Sequence, residues 1–162
     1  HWRDWSSDVC SSDLSYSSCE VSETFKYLSK FSKWCNEQIG FNFKDDKGKP
    51  FQLDKDILIK GNKIYSEETC AFVPQEVNLL FVKGEKSRGD YPIGVRFHKV
   101  SGMFRAMYNN KLSEHFKTPE EAFCVYKEAK EAYIKEVANK WKDRIDPRVY
   151  ESLMNYQVEI TD

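Results

Sequence analysis

Tyr91-Pro92-Ile93-Gly94-Val95-Arg96-Phe97-His98 alternates in polarity, with Ile93, Val95 and Phe97 on one face and Gly94, Arg96 and His98 on the other. A period of two predicts a half-buried strand. Val100-Ser101-Gly102 supplies turn chemistry. Met103 to Tyr108 then reads as the return strand, setting Phe104, Ala106 and Tyr108 opposite Arg105. Asn109-Asn110 marks a second tight turn, because Asn tolerates positive φ. Leu112 to Phe116 is a candidate third strand.

Thr118-Pro119-Glu120-Glu121 follows at once and has the form of a helix start. Thr118 is placed to cap, Pro119 suits the first turn, and Glu121 completes a capping box. Both carboxylates favour the positive end of the helix dipole. Ala122, Tyr126, Ala129, Tyr133, Val137 and Trp141 recur at helical spacing, widened by Phe123 and Val125. This stripe is expected to pack on Ile93, Val95, Phe97, Phe104 and Ala106. The expected fold class is therefore α+β, a three-stranded antiparallel sheet on one long helix over residues 91–143.

Charge gives this segment a direction. From Lys83 to Lys117 there are eight Lys or Arg against three acids, in a chain whose overall net charge is −1. A basic segment in a near-neutral protein is an electrostatic footprint for phosphate, although a solvated sheet has the same composition. Arg96 and Arg105 are the candidates for base-edge or close phosphate contacts, and Lys99 and Lys111, on the turns, for phosphates. His98 shares their face. The helix is acidic, so the sheet must be the reader.

Gly94-Val95-Arg96, Phe104-Arg105-Ala106 and Phe116-Lys117-Thr118-Pro119-Glu120-Glu121-Ala122 resemble the Apetala-type DNA-binding domain, the ethylene-response-factor fold. That family places a three-stranded sheet in the major groove of duplex DNA with a helix behind it. His115 stands where the family has Gly before the Phe, so the third-strand turn is expected to differ.

The upstream half has its own likeness. Leu53-Asp54-Lys55-Asp56-Ile57-Leu58, Gly61-Asn62-Lys63-Ile64-Tyr65-Ser66, Glu68-Thr69-Cys70-Ala71-Phe72-Val73-Pro74 and Asn78 resemble bacteriophage HNH homing endonuclease-like proteins. Such proteins carry an Apetala-type domain at the C-terminus. The resemblance implies a small ββα module over residues 15–82, a phage or mobile-element origin, and a place in the cytoplasm of a bacterial host. HNH chemistry uses a histidine as general base and a divalent metal, Mg or Mn, to stabilise charge on phosphate. Asp54 matches the family's Asp, but Lys55 stands where its histidine belongs, and no His occurs between Tyr16 and Phe97.

Catalysis, if retained, falls to Asp54, Lys55 and Asp56, a trio that also resembles carboxylate–lysine nuclease sites. Lys55 is a poor base unless its pKa is strongly lowered. Asp54, Asp56, Asn62 and Asn78 are the oxygen ligands available to a hard cation. The alternative is a nuclease fold kept as a structural or DNA-contacting module. A third class is a protein-interaction adaptor without nucleic acid.

The local patterns fill in the rest. Val21 to Gln38 reads as a helix capped by Ser22, with Phe25, Leu28, Phe31, Trp34 and Cys35 as core, ended by Gly40. Phe51 to Ile59 reads as a strand, Gly61-Asn62 as a hairpin turn and Lys63 to Tyr65 as its return. Gln75 to Val82 reads as a short helix with Val77, Leu80 and Phe81 inward. Lys83 to Asp90 is a polar basic linker, and Asp146-Pro147 restarts a bracing helix to about Asn155 within residues 144–162.

Arg3 to Leu14 resembles the translation of a sequencing adapter oligonucleotide. That implies a metagenomic fragment fused in frame to adapter sequence over residues 1–14, without its natural N-terminus. Leaving out residues 1–14 turns the net charge from −1 to +1 and removes Cys10. Cys19, Cys35, Cys70 and Cys124 then lack zinc-site spacing and read as free thiols of a reducing compartment. No apolar run is long enough to span a membrane.

Overall fold

The computed structural model describes residues 18–81, 90–109 and 111–162. The segments assigned to adapter sequence and, apart from Asp90, to the basic linker lie outside the described residues. Among the described residues, four α-helices and seven short strands form an α+β fold. The strands are β1 (Glu20–Val21), β2 (Gln52–Asp54), β3 (Ile64–Tyr65), β4 (Ala71–Val73), β5 (Val95–His98), β6 (Met103–Tyr108) and β7 (Lys111–Leu112). The helices are α1 (Leu28–Glu37), α2 (Gln75–Asn78), α3 (Pro119–Trp141) and α4 (Pro147–Met154).

Strands β5, β6 and β7 form the expected antiparallel sheet in that order. Val95 pairs with Ala106, Arg96 with Arg105, Phe97 with Phe104 and His98 with Met103. Asn109 has φ +47°, as its turn requires. The strand begins later than the alternation suggested. Pro92 has no N–H to give a ladder, its carbonyl accepts from Val95, and Gly94 turns left-handed at φ +72°. Gly94 is required on a second count. A β-carbon there would stand 2.0 Å from Tyr126 Cδ2, so α3 rests directly on its backbone.

Thr118 and Glu121 form the capping box, with Glu121 N–H donating to Thr118 Oγ1 and Thr118 N–H to Glu121 Oε2. The buried face of α3 is Ala122, Phe123, Tyr126, Ile134, Val137, Ala138 and Trp141. Val125, expected to widen the stripe, is instead 37% exposed. On the sheet, Val95 and Ala106 are buried, but Phe97 is 40% exposed and packs on Tyr91 and Phe104 rather than under the helix.

The upstream half corrects the hairpin reading. Strand β2 is only three residues long and pairs antiparallel with β4, while β3 pairs in parallel with β1. The expected strand Phe51–Ile59 stops at Asp54, whose Oδ1 accepts from Asp56 N–H at 2.9 Å and Ile57 N–H at 2.8 Å. An aspartate that captures the next backbone donors makes a turn in place of a ladder. Helix α1 is likewise shorter than its periodicity. Val21 belongs to β1, and Ser22 starts a separate turn by accepting from Phe25 and Lys26 N–H. Helix α2, followed by a 3-10 turn at Leu79–Phe81, buries Val77 and Leu80 as read from the sequence.

One hydrophobic cluster runs through both halves, from Trp34, Phe51 and Phe72 to Tyr126, Ile134 and Leu153. Helix α3 is the shared element. Beyond the sheet, its Trp141 ring meets Phe51 edge-on, and Trp141 Nε1 donates to Glu76 Oε2 at 2.8 Å. Lys140 Nζ reaches the same carboxylate oxygen at 2.6 Å. Burial raises the Glu76 pKa, but these two hydrogen bonds outweigh it and hold the carboxyl below its ordinary value. Helix α4, capped by Asp146, buries Val149 and Leu153, and Ser152 Oγ donates to Ile57 O at 2.6 Å. That is the expected brace, and it clamps the turn after Asp54.

Candidate nucleic-acid interface

The helix covers one face of the β5–β7 sheet, and period two sends the alternate side chains to the other. Arg96 and Arg105 are register partners on that open face. Arg96 is exposed and Arg105 half-buried. Like charges directly opposite across a pair destabilise a sheet by about 0.2–1 kcal/mol. Among the described residues, neither guanidinium has a carboxylate within ion-pair distance. Arg105 Nε donates to Ser113 O at 2.8 Å, which ties its stem to the third strand.

The third strand carries a β-bulge. Met107 pairs with Leu112, yet Phe104 pairs with Phe116, so the register shifts by one residue between them. Ser113 fills the gap, its Oγ accepting from Ala106 N–H at 2.8 Å. The bulge lies beside His115, whose Nε2 stands 3.3 Å from His98 Nδ1. Lys99 and Lys111 are exposed at the two turns. Of the residues named as phosphate or base readers, Arg96, His98, Arg105 and Lys111 lie on the strands and Lys99 on the turn after β5, and Arg96 and Arg105 are register partners.

The upstream residues are arranged otherwise. Asp54 is 9% exposed. Burial, and then the neighbouring Asp56 carboxylate, push its carboxyl up to about 6 against the pull of the two backbone N–H bonds. A perturbed buried carboxyl is a recognised mark of a functional site. Here its hydrogen bonds explain it as the acceptor that closes a turn. Lys55 Nζ pairs with Asp56 at 3.4 Å and lies 5.8 Å from the Tyr65 ring centre.

Asn62 is committed on both ends of its amide. Nδ2 donates to Lys55 O at 2.7 Å and Ile64 O at 2.8 Å, and Oδ1 accepts from Ile64 N–H. Asn78 Nδ2 donates to Gln52 Oε1 at 2.8 Å. A magnesium or manganese ion needs a convergent set of free oxygens. Of the candidate ligands, Asp54 Oδ1 and Asn62 Oδ1 are already taken by backbone N–H groups. No group of three or more His, Cys, Asp or Glu among the described residues is placed to hold a metal ion.

No family model, curated protein or solved structure matches the chain. No helix among the described residues is long and apolar enough to cross a membrane. Among the described cysteines, Cys35 and Cys70 are buried, Cys19 is half-buried and Cys124 is exposed, and all four are free thiols.

Proposed function

We propose that this chain is a duplex-DNA-binding protein that reads its target with the open face of the β5–β7 sheet. The observation that carries the reading is the Arg96–Arg105 register pair, two cationic residues set directly opposite across the ladder with no carboxylate at ion-pair distance among the described residues. A phosphate or the acceptor edge of guanine relieves the repulsion between them, and Arg offers the bidentate fork that fits either. Lys99 and Lys111 flank the pair at the turns and are suited to the adjacent backbone. The major groove admits a two-stranded ribbon of this kind.

The likeness of the Leu53–Asn78 region to HNH homing endonucleases supports descent from a phage or mobile-element nuclease. Asp54 closes a turn and Lys55 replaces the base, so this half serves as a scaffold that shares α3 with the reader. The test is binding of the full chain to a mixed pool of duplexes at two salt concentrations. Wild type is expected to bind with strong salt dependence and to enrich particular sequences. Lys99→Ala is expected to weaken binding to all sequences and to lower the salt slope by roughly one. Plasmid nicking with magnesium or manganese is expected to be absent. Nicking lost in Asp54→Ala overturns the scaffold assignment, and salt-independent or absent DNA binding overturns the reader.

A further inference from the structure

We infer that the open face of the β5–β7 sheet also carries a two-histidine site for a divalent transition cation of the zinc class. His98 Nδ1 and His115 Nε2 stand 3.3 Å apart, with ring centres 5.0 Å apart and planes inclined by 58°. Two nitrogens bound to one tetrahedral zinc at about 2.0–2.1 Å lie about 3.3–3.4 Å from each other. The separation therefore matches the bite of such an ion. Imidazole nitrogen suits zinc, copper and nickel and disfavours magnesium and calcium.

The bulge at Ser113–Glu114 is what brings the rings together, since His98 lies on β5 and His115 beyond β7 with β6 between them. Neither ring is enclosed: His115 is exposed and His98 half-exposed. In the metal-free chain one ring donates its proton to the other, and Ser101 Oγ lies 2.9 Å from the same His98 nitrogen. A cation takes the place of that shared proton. The ring that carried it adopts its other tautomer, with the proton on its far nitrogen, and no proton is released overall. The two remaining coordination positions face solvent and take water. This site rests on the two nitrogens and not on the DNA reading.

The experiment is calorimetric titration of the full chain, free of any histidine tag, with zinc chloride. Wild type, Cys124→Ser, His98→Gln and His115→Gln are compared. Wild type and Cys124→Ser are expected to take up one equivalent, and each histidine variant to lose that saturable signal. Magnesium chloride is expected to give none. Absence of zinc uptake by wild type overturns the site, as does uptake that survives both histidine substitutions. Because either substitution risks disturbing the sheet, ring-nitrogen NMR of the wild type is the second measurement. Zinc is expected to shift the resonances of both rings together, and saturation with those resonances unmoved overturns the assignment.

Discussion

Asp54→Asn separates a turn-closing carboxyl from a catalytic or metal-binding one. The folded Asp54 carboxyl titrates at about 6, against 3.8 for an ordinary aspartate. Converted to free energy, that difference is about 3 kcal/mol. The raised value means that the folded state holds the proton more tightly than the unfolded chain. The stability it contributes is fully present below pH 3.8 and is lost as pH rises through 6. Asparagine keeps an oxygen for the N–H groups of Asp56 and Ile57 and never ionises. The variant is therefore expected to match wild type near pH 3.5 and to exceed it by about 3 kcal/mol at pH 8. Urea unfolding of both chains across this range reads the difference directly, and comparing the two chains cancels groups such as Glu76 and Asp146, whose pKa values are lowered. A variant less stable than wild type at pH 8 refutes the reasoning, because it means that ionised Asp54 is stabilised by a partner such as a cation.

Three further outcomes follow from the packing. Gly94→Ala puts a β-carbon against Tyr126 and forces φ +72° on alanine, so a loss of about 2–5 kcal/mol is expected in urea unfolding. Gly102→Ala has similar backbone strain at φ +66° but nothing within 4 Å, so it is expected to cost only about 1–2 kcal/mol, and equal losses contradict the Tyr126 contact. Thr118→Ala removes the hydroxyl of the capping box and is expected to lower stability by about 1 kcal/mol, read from the thermal midpoint.

The elements legible in the sequence are those that carry local signals. The α3 start is written in Thr118 to Glu121, the α4 start in Asp146-Pro147, and the β5–β6 faces in strict alternation. Pairings between distant segments were not legible. Nothing near Ile64 announces a parallel partner at Glu20, because that pairing joins segments more than forty residues apart. The hairpin reading failed at Asp54, although the signal was present. An aspartate two residues before an open N–H is a turn former, and it outcompeted the apolar run that follows it. In the candidate interface, Arg96 and Arg105 were each found by period two, but their direct opposition depends on the length of the intervening turn. The His98–His115 approach depends on a bulge, which periodicity does not encode.

Arg96→Ala is the most direct test of the sheet reader, because one substitution pulls stability and binding in opposite directions. Relief of the Arg96–Arg105 repulsion is expected to leave the chain unchanged or more stable by up to about 1 kcal/mol. Affinity for the enriched duplex is expected to fall by about 1–3 kcal/mol, with sequence preference relaxed. Wild-type DNA affinity and sequence preference in Arg96→Ala contradict the account.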